Sequence, residues 1–87
     1  MKFRAKVIVK LKDNIKDAKG EAVAAVLCRI GLENSANVRM GKFFEFEITA
    51  FDKEAADKKL LNIINEVLVN PVVETYEVLD FSGINDL

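Results

Sequence analysis

VRMGKFFEFEI, residues 38 to 48, is the stretch on which the fold turns. Val38 and Met40 flank Arg39, and Phe44, Phe46 and Ile48 are interleaved with Glu45 and Glu47. A side-chain period of two belongs to an extended chain with one buried face and one charged face. Gly41-Lys42 divides the stretch into two short strands, glycine suiting an unusual φ and lysine a solvated tip. Neither Asn-Gly nor Asp-Gly is present to fix the turn type. The stretch therefore predicts a hairpin at the middle of the chain, and what flanks it decides the topology.

Upstream, Lys2 to Lys12 alternates Phe3, Ala5, Val7, Val9 and Leu11 with Lys2, Arg4, Lys6, Lys10 and Lys12, which predicts a strand with a cationic face. Only Ile8 interrupts that face. Asp17 is placed to cap a helix reaching about Ile30, with Val23, Val26, Leu27 and Ile30 on one stripe at helical spacing. Gly20 weakens its first turn, and Gly31-Leu32 fits a left-handed C-terminal cap. Downstream, Asp52 caps a second helix whose stripe is Ala56, Leu60, Ile63, Ile64 and Val67, widened by Leu61 and Leu68. Pro71 forces Asn70 out of helical geometry, so the helix ends there and an extended segment follows, Val72 to Phe81.

The predicted order is β-α-β-β-α-β: an α+β, ferredoxin-like fold, an antiparallel sheet with two helices on one face. In the usual strand order the first strand lies centrally, so its cations sit beside Glu45 and Glu47. The last segment has apolar groups at Val72, Val73, Tyr76, Val78, Leu79 and Phe81, on both of its faces. A sheet covered on one side has no use for that, and a second subunit does. Residues 1–87 make one domain, with 82–87 expected as a flexible tail on which Ile84 and Leu87 are available for docking.

At 87 residues with 13 basic and 14 acidic side chains, net charge -1, the chain has no electrostatic attraction for nucleic acid. Its 51% hydrophobic share supplies a core, but domains of this size are marginal alone and gain from self-association. The single cysteine, Cys28, excludes an internal disulfide framework, and the absence of an early apolar run points to a cytoplasmic protein with no membrane partner. There is no histidine, which removes the commonest general base and metal ligand together.

No residue pattern demands catalysis or a metal. Cys28 lacks a base and reads as a small residue on an alanine-rich helix. Glu45 and Glu47 share a face but pair more naturally with the cationic strand than they divide acid–base work. An acylphosphatase-like phosphate cradle needs a glycine-rich loop before a helix, and none is present. Gly-Lys-Phe-Phe-Glu-Phe has the aromatic spacing of an RNA-stacking strand, yet its interleaved glutamates repel phosphate. A small-ligand regulatory domain of the same topology stays open as an alternative.

Four stretches, Val7 to Lys12 (VIVKLK), Asp17 to Val23 (DAKGEAV), Val38 to Lys42 (VRMGK) and Asn70 to Tyr76 (NPVVETY), resemble the PurS subunit of phosphoribosylformylglycinamidine (FGAM) synthase in order and spacing. The family commonly has proline where this chain has Ala18, a loss of rigidity at the first helical position rather than of chemistry. The resemblance implies a non-catalytic subunit of de novo purine biosynthesis. Such a subunit associates with itself, as a dimer or dimer of dimers, and joins the glutaminase subunit PurQ to the synthetase subunit PurL for ammonia transfer. The complex uses ATP, Mg and glutamine, and this chain binds no cofactor itself. By the same resemblance, partner contacts are expected at Arg39, Gly41 and Lys42, at Asp17 and Gly20, and at Pro71 and Tyr76, with the exposed cations Arg39 and Lys42 pairing with partner carboxylates.

Overall fold

The computed structural model describes residues 1–34 and 37–84. Its elements are β1 (Lys2–Leu11), α1 (Ala18–Arg29), β2 (Gly41–Thr49), α2 (Lys53–Ile63), running on into a π-helical turn (Ile64–Leu68), and β3 (Glu74–Ile84). The strands form one antiparallel sheet in the order β2-β1-β3. The class is the expected ferredoxin-like α+β, built with three strands rather than four.

The missing strand is the first arm of the expected hairpin. Val38 to Met40 form no strand, and Gly41 to Thr49 pair with β1 as one uninterrupted run, Gly41 opposite Lys10 and Thr49 opposite Lys2. Gly41 is not a turn residue either, since Gly31 is the only described glycine with positive φ. It is required because a Cβ there would stand 2.9 Å from the Val9 carbonyl oxygen. Val38 and the Met40 N–H go instead to the entry of α1, and the Arg39 side chain to the end of β1.

Alternation on β1 is as the sequence predicts. Phe3, Ala5, Val7 and Val9 are buried; Ala5, Val7 and Val9 meet Ile48 of β2 and Leu60, Ile64 and Val69 from the α2 side, with Phe44, Phe46 and Phe81 packed around them, and the Phe3 ring lies 5.6 Å from that of Phe81. The opposite face carries the charges: Arg4 lies opposite Glu47 and Lys6 opposite Glu45, and Arg4 Nη2 reaches Glu47 Oε2 at 3.3 Å. Both partners are half-exposed, so the pair contributes under about 1 kcal/mol and acts mainly on register. Lys6 also faces Asp80 across β3, so the cationic central strand is flanked by acid on both sides.

The α2 stripe holds for Ala56, Leu60 and Ile64, all buried, and fails for Val67, which is exposed. The π-helical turn is the reason: Val69 donates to the Ile64 carbonyl five residues back, and the wider turn rotates Val67 outward while Leu68 packs on the core.

β3 contains an extra residue. Lys6 is opposite Asp80, but the next residue, Val7, is opposite Val78, leaving Leu79 as a bulge. Tyr76, Val78 and Phe81 therefore all share the helix-facing side with Val9, Val7 and Ala5, although their spacing puts them out of phase. This corrects the expectation of apolar groups distributed over both faces. Ser82 to Ile84, expected to belong to a flexible tail, continue β3 opposite Arg4, Phe3 and Lys2. The rest of that tail, with Leu87, lies outside the described residues.

α1 has the predicted caps. Asp17 accepts from Gly20 N, and beyond Ile30 the N–H of Gly31 (φ 79°) reaches Cys28 O while that of Leu32 reaches Leu27 O, a Schellman ending. Its packing differs from expectation. Gly20 is its only buried residue, and Val23, Val26 and Ile30 are 40, 41 and 59% exposed. α2 covers the sheet; α1 leaves the Leu11 end of β1 with its stripe bare.

Candidate functional site

The expected partner-contact residues gather, with one exception, where β1 ends, α1 begins and β2 starts. Asp17 organises this end. Its Oδ1 accepts from Gly20 N at 2.9 Å, and its Oδ2 accepts from Met40 N at 2.7 Å. One buried carboxylate thus caps α1 and holds the chain entering β2. These main-chain bonds, Met40 first and Gly20 second, lower its pKa below the ordinary 3.8, with a further contribution from the Arg39 charge.

Gly20 is the second half of the same contact. A Cβ there would lie 2.9 Å from the Val38 carbonyl carbon and closer still to its oxygen, so only glycine lets the helix approach the strand entry. Arg39 is not the free cation of a solvated tip. Its Nη2 donates to Lys12 O at 2.9 Å and to Leu11 O at 3.5 Å, tying the same segment to the end of β1. Lys42 pairs with Glu74 at 3.6 Å but remains well exposed, and Glu74 in turn accepts from Asn70 N at 2.8 Å.

Two open clefts lie on either side of Lys10 and Gly41. One, of about 370 Å³, runs between the α1 entry and β2; Lys10, Lys16, Lys19 and Lys42 line it, and its acids, Asp17 and Glu74, are already engaged. The other, of about 570 Å³, is lined by Ile8, Lys10, Arg39, Thr75, Tyr76 and Glu77. Pro71 is the exception: it sits exposed in the turn before β3, where Asn70 O accepts from Val73 N and Glu74 N. Met40 and Glu74 were not legible as site residues, because one acts through its main chain and the other through the β3 register. Cys28 is exposed on α1, away from this end. No helix among the described residues is long and apolar enough to cross a membrane.

The arrangement can hold a cationic docking face at a fixed angle to a helix. It matches known proteins over the same elements. The PurS family model, described as phosphoribosylformylglycinamidine (FGAM) synthase, matches residues 4–80. The phosphoribosylformylglycinamidine synthase subunit PurS of Mycobacterium leprae is 39% identical over 75 residues, covering 86% of this chain and 91% of that protein. The corresponding subunit of Thermotoga maritima is 36% identical over 76 residues, covering 87% and 93%. A chain of the Thermotoga maritima PurLQS structure superposes with a TM-score of 0.80 at 35% identity over 90% of this chain and 95% of that one. Thermus thermophilus PurS gives 0.77 at 29% identity over 98% and 100%. With β1, the Asp17 entry and the β2 start all inside the matched span, the chain belongs to the PurS family of phosphoribosylformylglycinamidine synthase.

Proposed function

We propose that this chain is the small, non-catalytic subunit of a cytoplasmic FGAM synthase, self-associated and seated between a glutaminase subunit and an ATP-dependent synthetase subunit. The observation that carries the reading is the likeness of nearly the whole chain to a chain of the PurLQS structure. In this role the protein supplies surfaces: Lys42 and the lysines of the α1-side cleft meet carboxylates of a partner subunit, which sets docking orientation. ATP, Mg and glutamine are bound by the partners, and this chain holds none of them.

Reconstitution tests this. With all three components present, glutamine-dependent amidine formation requires this chain, whereas synthesis from added ammonium depends on it less. Lys42→Glu with Lys19→Glu weakens the glutamine-dependent rate about tenfold while the circular dichroism spectrum is unchanged. Failure to co-purify with the glutaminase and synthetase, together with a melting shift on adding a metabolite, would favour a small-ligand domain instead.

A further inference from the structure

The charge pairing that balances β1 stops before the strand ends. On its open face Arg4 lies opposite Glu47, and Lys6 lies between Glu45 and Asp80. Lys10 continues that face but lies between Gly41 and Thr75, with no acid on either side. The next acid along that face of β3 is Glu77, opposite Ile8, and among the described residues it forms no ion pair with Lys10.

Beyond Lys10 the excess of positive charge grows. The cleft of about 370 Å³ between the α1 entry and β2 brings Lys10 together with Lys16, Lys19 and Lys42, so its four ammonium groups come from β1, the segment before α1, α1 itself and β2. The two carboxylates of the cleft are already committed. Asp17 gives both oxygens to the main chain of Gly20 and Met40, and Glu74 is shared between Lys42 and Asn70 N. Lys16 pairs with Glu21 at 3.5 Å, while Lys10 and Lys19 form no ion pair among the described residues.

Folding gains nothing from this gathering. Like charges drawn from four segments repel, and a ligand carrying several negative charges in a small volume relieves the repulsion. A carboxylate brings a single charge, whereas a phosphate group brings nearly two, and lysine binds phosphate as a point charge. Recognition here falls on ammonium groups and not on a main-chain cradle, since the Gly20 N–H at the start of α1 is taken by Asp17. The cleft has the volume of a small-molecule site.

We propose that this cleft binds a small, multiply charged phosphate anion, held by Lys10 and Lys19 and flanked by Lys16 and Lys42. Lys19 and Lys42 are among the cations assigned above to partner carboxylates. On that reading, on which this consequence rests, anion and partner exclude each other, and a phosphate compound loosens the complex.

Calorimetric titration of the full chain at constant ionic strength tests the site, with pyrophosphate, ribose 5-phosphate and citrate as probes. Pyrophosphate or ribose 5-phosphate saturates a single site, the tighter of the two telling a free anion from a sugar phosphate, and citrate, of similar charge, binds more weakly. Lys10→Gln with Lys19→Gln weakens binding about tenfold or more. Arg29→Gln with Lys58→Gln removes the same charge from exposed positions outside the cleft and leaves binding unchanged. Circular dichroism shows both double variants folded. Absence of saturation, equal loss in the two double variants, or citrate binding as tightly overturns the site. If pyrophosphate fails to bind while Lys19→Glu with Lys42→Glu still slows the glutamine-dependent rate, the docking reading stands and the anion site falls. If saturating pyrophosphate leaves capture by the glutaminase and synthetase undiminished, the exclusion is overturned and the anion site stands.

Discussion

The Asp17 carboxylate accepts the Met40 main-chain N–H at 2.7 Å across 23 residues of sequence, and this bond ties the entry of the first helix to the chain leading into the second strand. Asp17→Ala leaves two main-chain donors without their acceptor and lowers the thermal midpoint by several degrees. Asp17→Asn keeps one acceptor oxygen and falls between. Thermal unfolding followed by circular dichroism orders the three proteins.

The same carboxyl predicts an acid response. Its pKa is lowered in the folded state, so its contribution is complete above the ordinary value of 3.8 and is lost as pH falls through the folded-state value. The difference in midpoint between wild type and Asp17→Asn is therefore full at neutral pH and shrinks below 3.8, which paired melting curves will show.

Gly20→Ala reverses the ordinary rule. Alanine in a helix interior is favoured over glycine by up to about 1 kcal/mol. Here the added methyl meets the Val38 main chain, and overpacking against backbone costs roughly 1–3 kcal/mol. Denaturant titration is expected to show net destabilisation, whereas Ala22→Gly, on the exposed part of the same helix, loses about 1 kcal/mol through propensity alone.

The π-helical turn separates two residues that helical spacing treats alike. Ile64 is fully buried, and Ile64→Ala costs about 2–5 kcal/mol, enough to unfold a chain this small. Val67 is 76% exposed, and Val67→Ala stays within about 0.5 kcal/mol. Equal losses in urea titrations would contradict the turn geometry.

Arg39 and Lys42, three residues apart, are expected to behave differently. Arg39→Ala removes donors to two β1-end carbonyls and costs about 1 kcal/mol of stability. Lys42→Ala removes an exposed ion pair and costs well under 1 kcal/mol, its effect falling on partner binding. Stability and pull-down measurements on both variants distinguish the roles.

What the sequence disclosed followed from period and caps. β1, its cationic face opposite Glu45 and Glu47, the Asp17 and Asp52 caps and the Gly31 ending depend on neighbouring residues, where local rules hold. The hairpin did not survive, because three alternating residues before Gly41 satisfy the strand pattern while the Met40 N–H is claimed by Asp17 and the Val38 carbonyl lies against Gly20, at a helix entry about twenty residues earlier. The candidate site was legible as a set of positions, Asp17, Gly20, Arg39, Gly41 and Lys42, but not as a contact. Its central bonds run to main-chain atoms, which leave no mark on residue type. The bulge at Leu79 was hidden for a similar reason: an extra residue is visible only against its partner strand.

That bulge works as a change of parity. If Leu79 instead took a regular place opposite Val7, β3 would keep its pairs from Asp80 to Ile84, yet each residue from Glu74 to Val78 would turn over: Tyr76 and Val78 would go to the charged side of the sheet, and Thr75 and Glu77 would take their places. Which side of this protein is greasy enough for another molecule to read is thus decided by where one strand sets aside a single residue, not by residue identity.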